Sequence, residues 1–284
     1  MPQPPPASNE LSVSASLDTA SVSVRNMVCH GGCAHSGPEE CAASTYLVFP
    51  YRGVYVRHVG RDQAVADANH VVFFNADEGY RIAHPVAGSD ASLSLQLSPA
   101  LLEELAPAAF LNKQANPGFR MQHRRIDTDA QALVASLRHG LEHGTMEALE
   151  AEGLLLDLVT RSLGPRNTRA PQATEGQHRL ANRVKLLLSS DLSRRWSLAD
   201  VGAEIGASPV YLTQVFQRVE GLPLYRYQLR LRLARALDLM GSADLDLSAL
   251  AADLGFSSHS HFTAAFRQAY GQTPADFRRG TRRG

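Results

Sequence analysis

Hydrophobic residues follow two different periods along this chain. Between residues 44 and 97 they fall in short runs rich in Val, Tyr, Phe and Leu, at 44–50, 53–59, 64–66, 70–75, 79–83 and 92–97, punctuated by Gly, Asp, Asn and Pro. Several short strands at that spacing predict a small barrel or sandwich. The Pro-, Ser- and Ala-rich residues 1–27 read as a mobile arm with one strand segment at 11–24. From Ser98 the period turns helical. Ser98-Pro99 supplies an N-cap and a proline at the first helical position, leading into 100–105. Asp127 or Thr128 caps a helix with Leu133, Leu137 and Leu141 on one face, and a further helix spans about 145–163. That last helix carries a broad apolar face of Leu149, Leu154, Leu155, Leu156 and Leu158. Core packing and a dimer interface are the two readings of it. Residues 164–177, GPRNTRAPQATEGQ, show no periodicity and read as a linker.

The remaining sequence repeats itself. SLADVGAEIGASPVYLTQVFQRVEGLPL starts at Ser197, and LSALAADLGFSSHSHFTAAFRQAYGQTP starts at Leu247. Leu198, Val201, Ile205 and Gly206 match Leu247, Leu250, Leu254 and Gly255; Phe216, Gly221 and Pro223 match Phe266, Gly271 and Pro274. Each copy reads as helix–turn–helix. The first helix has apolar residues at i, i+3 and i+7 and stops at a Gly that tolerates the left-handed turn. A Ser then caps the second helix, Ser208 in one copy and Ser257 or Ser258 in the other. Leu212, Val215 and Phe216, or Phe262, Ala265 and Phe266, form its buried side. Residues 224–240 make a long connecting helix carrying Arg226, Arg230, Arg232 and Arg235, with Leu229, Leu233 and Leu237 inward.

At these residues the chain resembles the AraC/XylS family of bacterial transcription regulators. The likeness covers 178–280 and is densest in LAADLGFSSHSHF, from Leu250 to Phe262, continued by FRQAYGQTP, from Phe266 to Pro274. More loosely, Tyr46 to Pro85 is similar to that family's cupin-type sensor, which dimerisation helices follow. The resemblance implies an α+β two-domain fold: an N-terminal cupin-like β-barrel with dimerisation helices, and a C-terminal all-α domain of two helix–turn–helix units joined by a long helix. The bounds are an N-terminal arm at 1–28, a sensor and dimerisation domain at 29–163, a linker at 164–177 and a DNA-binding domain at 178–284.

The resemblance also implies two recognition helices in successive major grooves, about 34 Å apart. By position, Val210, Thr213, Gln214 and Gln217 face outward on the first, and His259, Ser260, Thr263 and Ala264 on the second. Gln214 suits a bidentate contact to adenine, His259 and Ser260 suit base edges, and the Thr263 methyl suits thymine. Tyr211, Arg218 and Arg267 are placed for phosphates, as are Ser208 and Ser258 at helix N-termini. Members of the family often carry a basic residue where Ala264 stands, so the second unit is expected to lean on the phosphate backbone or on polymerase.

Composition first argues the other way. The 284 residues hold 28 basic and 28 acidic side chains, a formal charge of zero, whereas phosphate binding calls for a basic footprint. The halves differ, however. Residues 1–176 hold 13 basic and 19 acidic side chains; residues 177–284 hold 15 and 9, and Lys185 is the only Lys among those 15. Arginine hydrogen-bonds phosphate and guanine bidentately. With 44% hydrophobic and 20% charged residues the chain is ordinarily globular, and at roughly 100–200 residues per domain it has room for two. No apolar run is long enough to span a bilayer and no secretory pattern opens the chain, so a cytoplasmic protein is expected.

All three cysteines, Cys29, Cys33 and Cys41, lie within 13 residues, with His30 and His35 among them. Three thiolates and an imidazole, Cys29, Cys33, Cys41 and His35, make a donor set suited to tetrahedral zinc. Structural zinc, a sensory site for a soft metal or for oxidation of a thiol cluster, and unligated packed thiols all remain open. His58, His70 and His84 are scattered over the β region, and no H-x-H pair occurs among the predicted strands. Tyr46, Phe49, Tyr55, Phe73, Phe74 and Tyr80 either line a pocket or form plain core.

The sequence therefore reads as a dimeric, DNA-binding transcription activator, not an enzyme, with promoter DNA and RNA polymerase as partners and a small ligand, metal or redox signal as effector. The alternative is a cupin-type metal-dependent enzyme with a helical appendage.

Overall fold

A computed structural model describes residues 11–30, 36–112, 117–164, 173–241 and 245–283. The chain opens with a hairpin of β1 (Leu11–Asp18) and β2 (Val22–Cys29). Eight further strands follow: β3 (Glu40–Cys41), β4 (Tyr46–Arg52), β5 (Tyr55–Val59), β6 (Asp62–Ala66), β7 (His70–Phe74), β8 (Gly79–Ala83), β9 (Asp90–Leu97) and, beyond helix α1 (Pro99–Leu105), β10 (His123–Arg125). They form two sheets, one in the order β1-β2-β9-β4-β7-β10, the other β3-β8-β5-β6. The described part of the segment expected as a mobile arm, from Leu11 on, is thus part of a sheet, since β2 pairs with β9 over eight residues, from Val22 opposite Leu97 to Cys29 opposite Asp90.

The expected closed barrel is corrected to two separate sheets. Six connections between consecutive strands pass from one sheet to the other; among them, one lies at Arg52–Tyr55, a second at Ala66–His70 and a third between β8 and β9. At the second crossing the backbone N–H groups of Asn69 and His70 donate to Asp67, a turn that sends β7 into the larger sheet instead of beside β6. Alternation then sorts the side chains. Val48, Val72 and Phe74 of the larger sheet meet Tyr55, Ala66 and Tyr80 of the smaller. Leu47, Phe49, Val71, Phe73, Leu93 and Leu95 face the other way, into a core shared with α1, α2 (Thr128–His143) and α3 (Ala148–Leu163). Covering both faces explains why β7 is buried along its whole length.

The helices start where the sequence places them. Ser98 accepts from Leu101 N ahead of Pro99, and Asp127 accepts from Ala130 N. Of the leucine face on α3, Leu155 and Leu158 are buried in the core, whereas Leu149 is 81% exposed and Leu156 39%. Most of the expected linker lies outside the described residues; α4 (Glu175–Ser190) begins with a Thr174–Gln177 capping box.

Beyond it come α5 (Leu198–Ile205), α6 (Pro209–Glu220), α7 (Leu224–Leu239), α8 (Leu247–Asp253), α9 (His259–Tyr270) and α10 (Pro274–Arg283). They make two cores. Val201, Ile205, Leu212 and Phe216 pack with α4 and with Leu231 and Ala234 of α7. Leu250, Leu254, Phe262 and Phe266 pack with Leu233, Ala236 and Leu237 of the same helix. One helix is therefore buried on two sides, one for each unit. The molecule is an α+β protein with an N-terminal sheet region and C-terminal helices.

Candidate nucleic-acid interface

In the first unit, α5 ends at Gly206 in the left-handed conformation (φ 74°), and the chain turns at once into α6. Ser208 caps α6, accepting from Tyr211 N, and Pro209 occupies the first helical position. Burial of Leu212, Val215 and Phe216 fixes the rotation of the helix. Its outer side is then Val210 (68% exposed), Tyr211, Thr213, Gln214, Gln217 and Arg218, all exposed as the sequence predicts. Thr213 Oγ1 donates to Pro209 O at 2.9 Å.

In the second unit the cap is Ser258, which accepts from His261 N, while Ser257 Oγ and His261 Nδ1 pair at 2.9 Å. His259, Ser260, Ala264 and Arg267 are exposed and Thr263 is half-buried. With Gln268 and Thr273 these five line one open concave surface. Arg232 of α7 donates to the carbonyls of Leu192, Arg194 and Gly255, and Arg195 to those of Gly255 and Phe256. Two arginines of the basic half are thus spent on joining the two units.

How these units meet the sheets was almost silent in the sequence. His70 Nδ1 faces Asp67 Oδ1 at 2.9 Å and its Nε2 faces Glu220 Oε2 at 3.2 Å; Glu220 ends α6. Lys185 of α4 pairs with Glu220 Oε1 at 3.1 Å, and the Tyr227 hydroxyl of α7 donates to Asp67. Burial raises the Glu220 carboxyl, but Lys185, His70 and His123 more than offset this and hold it ionised, below the ordinary range. Burial and Lys185 push His70 down, yet the two carboxylates leave its pKa raised. A second contact joins α2, β4 and α7. The fully buried Asp238 receives Arg52 at 2.9 Å, Arg138 at 3.2 Å and Arg235. The one available signal in the sequence was Lys185, a lone lysine on an otherwise apolar helix face.

Of the expected four-ligand set, Cys29 and Cys41 fall among the described residues. Cys33 and His35 lie outside the described residues. Cys41 is exposed on β3, its Sγ 4.0 Å from Ala42 O. Cys29 is buried beside His84 and Asp90, and Cys41 belongs to neither group of metal-competent side chains among the described residues. These three line a cavity of about 170 Å³ together with Tyr46, Tyr55, Phe74 and Tyr80. Phe49 and Phe73, the other aromatic candidates, sit in the helix-facing core instead.

Residues 201–280 match a family described as a helix-turn-helix domain. The chain is 25% identical over 248 residues to the HTH-type transcriptional regulator GadX of Escherichia coli O6:H1, covering 87% of this chain and 86% of that one. It is 29% identical over 170 residues to the regulatory protein PocR of Salmonella typhimurium, covering 58% of this chain and 54%, about half, of PocR. Among solved structures, unsaturated fatty acid bound ToxT from Vibrio cholerae aligns over 92% of this chain and 96% of its own at 12% identity, with a TM-score of 0.37. No helix among the described residues is long and apolar enough to cross a membrane.

Proposed function

We propose that this chain, whose residues 201–280 form an AraC-type helix-turn-helix domain, is a sequence-specific, DNA-binding activator of transcription whose N-terminal domain, 29–163, receives the signal. The observation that carries the reading is the matched pair α6 and α9. Each is capped by a serine, anchored by a buried phenylalanine, and turned so that its polar positions face solvent. Gln214 and His259 read bases, with Ser260 and the Thr213 and Thr263 methyls beside them; Tyr211, Arg218 and Arg267 hold phosphates; Ser208 and Ser258 add helix N-termini. Val210, Gln217 and Ala264 complete the contact surface.

The effector is a small molecule or ion bound in the aromatic cavity between the sheets. Binding there acts on the DNA-binding units through the His70–Glu220–Lys185 and Asp238 contacts, which tie the sheet region to α4, α6 and α7. Exposed Leu149 and Leu156, seven residues apart on α3, are the surface through which two copies pair. The relatives that match are regulators.

The test is selection of bound fragments from genomic DNA by the full chain, followed by affinity measurements against salt. The reading requires a discrete site and log K falling linearly with log salt, with a slope of several units. Absence of enrichment, or binding that ignores salt, overturns it.

A further inference from the structure

We propose that Cys29 is a nucleophile that captures a small, soft carbon electrophile, of the α,β-unsaturated carbonyl class, in the cavity between the sheets. The sheet register fixes two of the groups involved: Cys29 closes β2, Asp90 opens β9, and the two stand directly opposite in the antiparallel ladder. His84 follows β8 and brings its ring to both. Its Nε2 faces Cys29 Sγ at 3.7 Å, and its Nδ1 faces Asp90 Oδ2 at 2.6 Å in an ion pair. One ring nitrogen therefore serves the sulfur and the other the carboxylate. That is the order of nucleophile, general base and positioning carboxylate, which is recognised by geometry and not by place in the sequence. All three residues are buried, and all three border the cavity of about 170 Å³.

The cavity wall selects the class of electrophile. A structural cysteine sits in apolar surroundings and is inert; Cys29 has an imidazole within reach and open space in front of it. Tyr46, Tyr55, Phe74 and Tyr80 supply flat aromatic walls, which suit a planar conjugated molecule. Neither Lys nor Arg lines the cavity among the described residues, whereas Glu40 and Asp90 do, so a neutral ligand is favoured over an anion. In the reaction, His84 Nε2 takes the Sγ proton and the sulfur lone pair forms a C–S bond to the β-carbon. The C=C π pair moves onto the α-carbon as an enolate, and the proton held by His84 ends on that carbon. Atoms and electrons balance without an oxidant or a co-reactant. Asp90 faces the positive charge that the ring carries meanwhile.

The proposal deepens the reading of this cavity as the effector site and rests on it. Cys29 and Asp90 belong to the larger sheet and His84 follows a strand of the smaller, so an adduct on Sγ stands at the seam of the two sheets, against walls that come from both.

The experiment incubates the reduced full chain with but-3-en-2-one at neutral pH and follows the adduct at each cysteine over time by fragment-ion mass spectrometry. Circular dichroism checks that each variant is folded. The first adduct is expected at buried Cys29, ahead of exposed Cys41. His84→Gln is expected to slow the reaction at Cys29 by about 100-fold or more and to leave the rate at Cys41 unchanged. Asp90→Asn should slow Cys29 as well, with part of the rate recovered in Asp90→Glu. A first adduct at Cys41 or Cys33 in the folded wild type overturns the proposal, as does an unchanged Cys29 rate in folded His84→Gln. Should His84→Gln not fold, the order of modification in the wild type decides alone. DNA affinity at the selected site is measured before and after modification, and a several-fold change is expected; equal affinities overturn the role of the adduct as a signal. Failure of the unmodified chain to bind a discrete site would refute the regulator reading and leave capture at Cys29 standing.

Discussion

Acid should loosen the contact between the sheet region and α7 through a single histidine. His139, on α2, is 1% exposed. Its Nε2 donates to the Leu237 carbonyl of α7 at 2.9 Å, and its Nδ1 is buried without a hydrogen bond. That arrangement belongs to the neutral ring, because a second proton would sit on Nδ1 with nothing to accept it. Burial lowers the pKa most and Arg138 adds to this, with a smaller contribution from His143; the Leu237 carbonyl and Asp238 oppose it, and the outcome is about 4 against an ordinary 6.5. The unfolded chain takes up this proton near 6.5 while the folded chain resists it until about 4. The contribution to stability is thus complete above the unfolded value and is lost as pH falls through that window. Proton linkage gives a loss of about 2 kcal/mol at about pH 5, growing to about 3 kcal/mol below the folded pKa. Urea denaturation of the wild type and of His139→Gln, at neutral pH and at about pH 5, measures it. The variant loses the Leu237 hydrogen bond and starts less stable, but its stability should fall less with acid, by about 2 kcal/mol. Equal acid sensitivity in the two proteins would refute the argument, as would the same flattening in His143→Gln.

Three further outcomes are expected. Gly255→Ala should cost about 2 kcal/mol or more, read as a drop in melting temperature: the residue has φ 74°, and a Cβ there would run into the Ser193 carbonyl and crowd the Arg232 guanidinium. Lys185→Met should destabilise by about 3–5 kcal/mol in urea, because it leaves Glu220 buried without its cation; Lys185→Met with Glu220→Gln should recover part of that loss. For DNA binding by the full chain, Arg218→Ala should lower the salt slope by about one unit with little change in site preference. Gln214→Ala should cost about 1–3 kcal/mol at the selected site and almost nothing elsewhere.

What the sequence made legible follows the range of the interactions. The two units were readable because everything that defines them is local: Val201, Ile205 and Gly206 within one turn, Ser208 two residues on, Phe216 two turns further. The strands at 46–97 were readable for the same reason. Their assembly was not, because closure depends on which strands pair across the crossings at Arg52–Tyr55 and Ala66–His70, and a run of apolar residues such as HVVFF does not say which sheet it joins. The N-terminal hairpin was hidden by its composition: Val22 and Val24 turn inward, but Leu11 and Val13 lie exposed on the edge strand and weaken the alternation. The polar contacts between sheets and helices were out of reach entirely. Asp67 finds Tyr227 across 160 positions and His70 finds Glu220 across 150. For the cysteines, the strand register adds a neighbour the sequence could not show, carrying Cys29 to Asp90, far along the chain.

The fate of the arginines bears on how the helical half meets DNA. By count that half carries an excess of positive charge, but much of it is turned inward. Arg183 donates to Ile205 O, Arg232 to Leu192 O and Gly255 O, Arg195 to Gly255 O, Arg230 to Ile126 O, Arg278 to Leu245 O, and Arg235 pairs with Asp238. Burial lowers the pKa of both Arg230 and Arg232. Guanidinium groups spent on backbone carbonyls stabilise the joint between the units; they do not release counterions from phosphate. The charges left on the recognition helices are Arg218 and Arg267, each in the last turn of its helix, with a serine cap at the opposite end. Affinity in such an arrangement comes from a few contacts held rigidly by α7 and less from a broad basic field. The salt slope should then track the number of exposed arginines and capped helix ends rather than the net charge of the domain. Removing Arg232 should weaken DNA binding only as far as it loosens the joint, at any salt concentration, without changing that slope.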